Sequence, residues 1–319
     1  MSELWSRLGF LAIALVVYRI GTHIPIPGIN PEQVAALFQQ SQGTILQYFN
    51  LFSGGALERM SIFALSVVPY ISSAIVMQLF SNSVPYLQEL KKDGQAGRNK
   101  ITQYTRYGTV IFALIQSSAL TVTLQTAGLI DAGSIFSAFV AVISIVTGTM
   151  FLMWLGEQIS ERGIGNGISI IIATSIITGV PRAFGQALEQ TQQGDLNYLL
   201  LIVLAVLTLL VVAFVVFVEN AQRKITVNYA QRNQVRGMIQ APSSFLPLKL
   251  NMSGVIPAIF ASTFLLFPAS LSSWFGNIDG LGGLQEFSLY LNPGQPLYIL
   301  LFVILIVSFC YIWLALTFS

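Results

Sequence analysis

The chain has 319 residues, 54% of them apolar and only 9% charged, with 15 basic and 13 acidic side chains. A soluble domain carries about a quarter charged residues, so a water-solvated globular fold is excluded. One cysteine, Cys310, and one histidine, His23, leave no disulfide framework, no zinc-type ligand spacing and no triad or HExxH chemistry.

The first apolar run, Leu8–Ile24, follows a short start of mixed charge with no small-residue cleavage site behind it, and is read as a retained membrane helix. Next comes Ile45–Phe52. It would make about two helical turns, roughly 12 Å against a hydrocarbon core of about 30 Å, so it can enter a membrane but not cross it. Ser53-Gly54-Gly55 joins it to Ser61–Phe80, which is uncharged and read as a full span. Unpaired backbone groups in lipid cost several kcal/mol each, as a rough figure, so the short piece must lie against protein or water. Its Ile45, Leu46, Phe49, Leu51 and Phe52 can seal a dry funnel, with Gly54 and Gly55 letting the backbone turn. A re-entrant or interfacial helix with no gating role is the alternative.

Six further spans follow: Tyr107–Ala127, Ser134–Leu155, a short Gly-flanked Ile168–Val180, Tyr198–Val218, Val255–Phe275 and Leu297–Phe318. The expected class is an all-α polytopic membrane protein. With Ile45–Phe52 non-spanning, Arg7, Lys91, Lys92, Arg98, Lys100, Arg106, Arg162, Arg223, Lys224, Arg232, Arg236 and Lys249 all fall on the side of the N-terminus. Only Arg19, Arg59 and Arg182 do not. The positive-inside rule then places the N-terminus and loops 81–106 and 219–253 in the cytoplasm, and 25–44, 183–197 and 276–296 outside.

Two spans carry an echo, Val67-Val-Pro-Tyr-Ile71 and Val255-Ile-Pro-Ala-Ile259, and run in opposite directions, as an inverted repeat requires. In the long basic loop, Lys224-Ile-Thr-Val-Asn-Tyr229 predicts a small hairpin. Its cations Arg223, Lys224, Arg232, Arg236 and Lys249 suit RNA phosphates or an acidic protein surface. Gly163-Ile-Gly-Asn-Gly167 is like a phosphate loop only superficially, since no strand precedes it. No acidic residue falls in mid-span, which argues against a secondary transporter, the alternative class that shares inverted repeats and interrupted helices.

Several blocks resemble the SecY family, the channel subunits of the bacterial protein-conducting translocon. They are Ile24-Pro-Ile-Pro-Gly28, Phe52-Ser-Gly-Gly-Ala-Leu57, Gln103-Tyr-Thr-Arg-Tyr-Gly-Thr109, Gly148-Thr-Met-Phe-Leu-Met-Trp-Leu-Gly-Glu-Gln158, Glu161-Arg-Gly-Ile-Gly-Asn-Gly-Ile-Ser169 and Leu291-Asn-Pro-Gly-Gln-Pro296. The resemblance runs the length of the chain and implies a helical bundle with an inverted repeat. Residues 1–190 would be its N-terminal half and 191–319 its C-terminal half. Ten spans would be expected against the eight read here, so the chain is expected to be a C-terminally shortened version, also without a basic N-terminal extension.

The resemblance makes Ile45–Phe52 a plug, which a related membrane insertase would lack. It implies a pore ring at Val67, Ile71, Ile168, Ile172 and Ile259. Branched aliphatics there exclude water and offer a passing chain no hydrogen bonds. A lateral gate is implied at Ser72, Ser73, Gln78, Gln116, Asn251, Thr263 and Phe267, while Leu265 is expected to face lipid. Further implications are a location in the bacterial inner membrane, no cofactor and no enzymatic reaction. The implied partners are SecE and SecG, the SecA motor ATPase, the ribosome, signal peptides and nascent chains, and membrane lipids.

Overall fold

The computed structural model describes all residues except 1, 30–32, 35–49, 51–52, 127, 131–134, 195–196, 228–243, 252–253, 255–256, 259, 263, 266–294 and 319. The chain forms two compact units, Met1–Ala183 with Phe260–Leu305, and Phe184–Ile259 with Ile306–Ser319.

The first unit begins with α1 (Ser2–Gly21). Helices α2 (Val68–Ser83), α3 (Pro85–Lys92), α4 (Gln95–Thr126), α5 (Ile135–Arg162) and α6 (Gly167–Gln192) follow, α6 running on into the second unit. Helix α2 lies along α4, α4 along α5, and α1 along α5. The α2–α4 approach is close because residue 108 has no side chain: a Cβ there would lie 2.3 Å from Ser73 Oγ. A core of Ile26, Leu57, Met60, Leu124 and Ile145 closes the unit.

Ser61–Phe80 is not one continuous helix, contrary to expectation. Helix α2 starts at Val68 and has 16 residues, on the order of 24 Å. Upstream, Ser61 bridges Pro25, Ile26 N–H donates to Met60 O at 2.8 Å, and Ile62 N–H donates to Ile24 O at 3.0 Å. That bridge engages backbone groups that a helix would use internally. Pro69 then suits the first helical turn, where its missing N–H costs nothing. Phe63 is wedged beneath α1 and α5. A Cβ on Gly21 would lie 2.0 Å from its ring, and one on Gly148 would lie 1.9 Å from Ile62 O. The ring stacks between Tyr18 and Phe151, with centroids 6.2 and 5.9 Å away.

Three spans run longer than expected. Helix α4 starts at Gln95 rather than Tyr107, and α5 continues to Arg162. Helix α6 passes through Pro181 to Gln192. In each case the added turns are polar, so hydropathy stops where the hydrogen-bonded helix does not. At the α5–α6 corner backbone packs on backbone, since a Cβ on Gly167 would sit 2.0 Å from Gly156 O. Asn166 Oδ1 accepts from Ile168 N–H and Ser169 N–H, capping α6. The glycines of 163–167 therefore serve a tight corner.

The second unit contains α7 (Tyr198–Asn220), on which no residue is buried. It also holds the predicted hairpin, β1 (Gln222–Val227) antiparallel to β2 (Ser244–Lys249), with Lys224 opposite Pro247. Helix α8 (Pro296–Phe318) begins in the first unit and ends in the second. Among the described residues, six helices are long and apolar enough to cross a membrane: α1, α4, α5, α6, α7 and α8. Most of the expected seventh span lies outside the described residues. Its visible helical turns bury Pro257, Ala261 and Leu265, so Leu265 does not face lipid. These three positions recur every fourth residue and form one face, whereas Phe264 is exposed.

Candidate functional site

Of the expected plug residues, Ile45, Leu46, Phe49, Leu51 and Phe52 lie outside the described residues, but the turn behind them is described in detail. Gly54 and Gly55 both have positive φ, 65° and 81°, a conformation that favours glycine. Asn50 O accepts from Gly55 N–H at 2.9 Å and from Ser53 Oγ at 3.0 Å. Ser53 Oγ accepts from Leu57 N–H at 3.1 Å. The turn is a self-bonded unit rather than a loose linker.

Three arginines converge on that turn. Arg19 Nη1 donates to Gly54 O at 3.3 Å and Arg59 Nη2 donates to the same oxygen at 3.1 Å. Arg182, on α6, grips Glu58 with both Nη atoms, Nη2 donating to Oε1 at 2.7 Å. Asn50 completes the grip, its Nδ2 donating to Glu58 Oε2 and its Oδ1 accepting from Glu58 N–H, each at 3.0 Å. The Arg182 bonds, reinforced by Asn50, hold the Glu58 carboxyl below the usual carboxylate range against the opposing effect of burial. Burial and the neighbouring Arg19 lower Arg59 somewhat. The buried Tyr18 hydroxyl contacts Ser175 Oγ at 2.6 Å and donates to Ser53 O at 3.3 Å, tying α1 and α6 to the same turn.

This cluster was not anticipated as a site. Its signal was present, because Arg19, Arg59 and Arg182 are the three cations outside the basic-loop pattern.

Of the expected ring, Val67 and Ile172 are buried, Ile71 and Ile168 are half-buried, and Ile259 lies outside the described residues. A Cβ on Gly156 would lie 2.9 Å from Ile168 Cγ1, so Ile168 spends part of its side chain on α5.

Of the expected gate residues, Thr263 and Phe267 are outside the described set. Ser72 Oγ donates to Val68 O within its own helix, and Ser73 Oγ donates across to Thr105 O of α4 at 2.7 Å. Gln78 O accepts from the Ser81 and Asn82 side chains. Gln116 Oε1 is buried without a hydrogen-bond partner among the described residues. Asn251, in the second unit, donates to Glu219 Oε2 at 3.0 Å. Of the expected docking cations, Arg223, Lys224 and Lys249 stand on the hairpin, with Lys224 Nζ 5.8 Å from the Phe245 ring centroid. Arg232 and Arg236 fall outside the described residues.

The chain matches the family model for SecY over residues 61–319. It is 57% identical over 319 residues to the protein translocase subunit SecY of Pseudomonas aeruginosa, covering all of this chain and 72% of that one. Against SecY of Escherichia coli K12 the identity is 54% over 323 residues, covering 100% and 73%. A solved structure described as that of a protein conducting channel superposes with a TM-score of 0.60 at 18% identity, over 86% of this chain and 59% of that one. A second, from work on the plug domain of SecY in the closed channel, gives 0.59 at 18% identity, over 86% and 58%. The fold is that of the SecY-type channels.

Proposed function

The chain belongs to the SecY family of protein translocase subunits, and on that premise we propose that it passes unfolded preproteins through a central channel and releases signal and membrane segments sideways into lipid. The observation that carries this reading is the interrupted second span. A turn held by α1 and α6 is followed by a bridged, non-helical strip and only then by α2, as a stopper entering a cavity beside the pore wall requires. Transport coupled to ions gains no support, because family and fold both point to a translocase.

In this proposal Ile45, Leu46, Phe49, Leu51 and Phe52 plug the external funnel, with Gly54 and Gly55 as pivot. Val67, Ile71, Ile172 and Ile259 line the constriction, and Ile168 contributes what α5 leaves free. Ser72, Gln78, Gln116, Asn251, Thr263 and Phe267 line the lateral gate. Ser73 instead stiffens the α2–α4 wall of it. Residues 1–190 and 191–319 are the two halves of the inverted repeat. Membership of the family supports a location in the bacterial inner membrane, and the sorting of basic residues supports a cytoplasmic N-terminus. Hairpin cations Arg223, Lys224, Arg232, Arg236 and Lys249 dock the ribosome or the SecA motor. SecE and SecG are the expected companion subunits. The subunit conducts rather than catalyses.

The test is to stall a secretory preprotein in transit and join it by disulfide to single cysteines placed in the channel protein. Cysteines at Ile71 and Ile172 should crosslink to the stalled segment, and cysteines at exposed Ile13 and Val206 should not. Equal crosslinking at all four positions would refute the assignment of the pore.

A further inference from the structure

We propose that Glu58 and Arg182, together with Asn50 and the doubly held Gly54 carbonyl, form an ionic clasp that fastens the turn behind the plug to α1 and α6 and so favours the sealed channel. The inference rests on the plug reading above and adds to it a holding device outside the apolar seal.

Arg19 and Arg59 both donate to a neutral carbonyl, which orients them but cancels neither charge. The carboxylate bonded within this cluster is Glu58, set against three guanidiniums. The Glu58 side chain is only 12% exposed, whereas Arg182 is 55% exposed. Glu58 therefore has little access to water if its partner leaves, but Arg182 can be solvated. Asn50 ties the clasp to the plug segment Ile45–Phe52 itself, because the side chain that binds Glu58 belongs to a residue of that segment. Moving Asn50 outward breaks its bonds to Glu58, and swinging the turn breaks the Arg182 fork and the Tyr18 contacts as well. A signal sequence must supply the free energy of opening, so a weaker clasp lets a poorer signal suffice.

The inference predicts an asymmetry. Replacing Glu58 leaves three cations with no anion between them among the described residues. Replacing Arg182 leaves Glu58 beside Arg59.

The experiment substitutes the chromosomal copy, so that the protein and its natural partners are made as usual, and measures export of a reporter whose signal sequence is defective. Glu58→Gln should raise that export roughly fivefold, the scale set by a half-exposed ion pair, and Arg182→Gln by less. The exchange Glu58→Arg with Arg182→Glu should return export to within about twofold of the parent, which separates loss of the clasp from misfolding. Removing residues 45–49 should also relax export, and Glu58→Gln should add nothing in that background. If the deletion relaxes export while neither single substitution does, the plug stands and the clasp is overturned. Failure of the exchange to restore stringency while protein levels stay normal also overturns the clasp. A deletion without effect on export would overturn the plug reading and the clasp with it.

Discussion

Arg106 of α4 and Glu157 of α5 meet fork to fork, Nε donating to Oε1 at 2.9 Å and Nη2 to Oε2 at 2.8 Å. Glu157 is the more enclosed partner, 18% exposed against 48%. Removing the arginine strands a largely covered carboxylate, whereas removing both charges does not. Arg106→Ala should cost about 1 kcal/mol, lowering the melting temperature in detergent by roughly 2–4 °C, and Arg106→Ala with Glu157→Gln should recover part of it. Equal losses in the single and double variants would show that the stranded Glu157 carboxylate carries no penalty of its own.

The bridged strip ahead of α2 depends on close approach at Gly148, where a Cβ would overlap Ile62 O. The obstacle is backbone, so Gly148→Ala should be strongly destabilising, by roughly 1–3 kcal/mol or more. Gly9 has open space around its position in α1. There Gly9→Ala should be neutral or stabilise by about 0.5–1 kcal/mol, the usual gain in a helix interior. Thermal unfolding of the two variants side by side checks the contrast.

The α2–α4 contact makes a prediction about coupling. Gly108→Ala collides with Ser73 Oγ, and Ser73→Ala alone loses the bond to Thr105 O, worth about 1 kcal/mol. The double variant removes the atom that Gly108→Ala would strike. Its cost should therefore fall well below the sum of the singles in a double-mutant cycle. Strict additivity would mean that the two positions do not share a contact.

Acid should loosen the turn behind the plug. Glu58 is held below the ordinary carboxylate range first by its bonds from Arg182, with Asn50 adding and burial opposing, and Arg59 and Arg182 are the cations that face it. A depressed carboxyl stabilises the fold fully above its unfolded value, and that contribution is lost as pH falls through the folded value. Stability of the parent should therefore decline through the acid range, and Glu58→Gln should flatten that part of the profile. The same slope in both proteins would place the acid sensitivity elsewhere.

Much of this architecture was legible because lipid makes apolar length informative. The spans now seen as α1, α7 and α8 were readable as long apolar runs, and the hairpin as β-prone residues between polar ends. The polar ends of α4, α5 and α6 were not, since hydropathy ends where hydrogen bonding continues. Residues 61–67 looked helical because composition does not reveal that Ile24 would claim the Ile62 N–H and Pro25 would bridge Ser61. The Glu58–Arg182 fork spans 124 residues and follows no local periodicity. Its trace in the sequence was the trio of arginines off the basic side.

A plugged, apolar-ringed channel should be closed to ions at rest, which conductance of the purified complex in a planar bilayer without substrate reads out. The parent protein should be closed. Ile71→Asn, Ile259→Asn and removal of residues 45–49 should each raise resting conductance, because an amide in a dry collar or an unstopped funnel favours water in the pore. Phe264→Asn, at an exposed position, should not. Unchanged conductance in the two ring variants and the deletion would contradict the account.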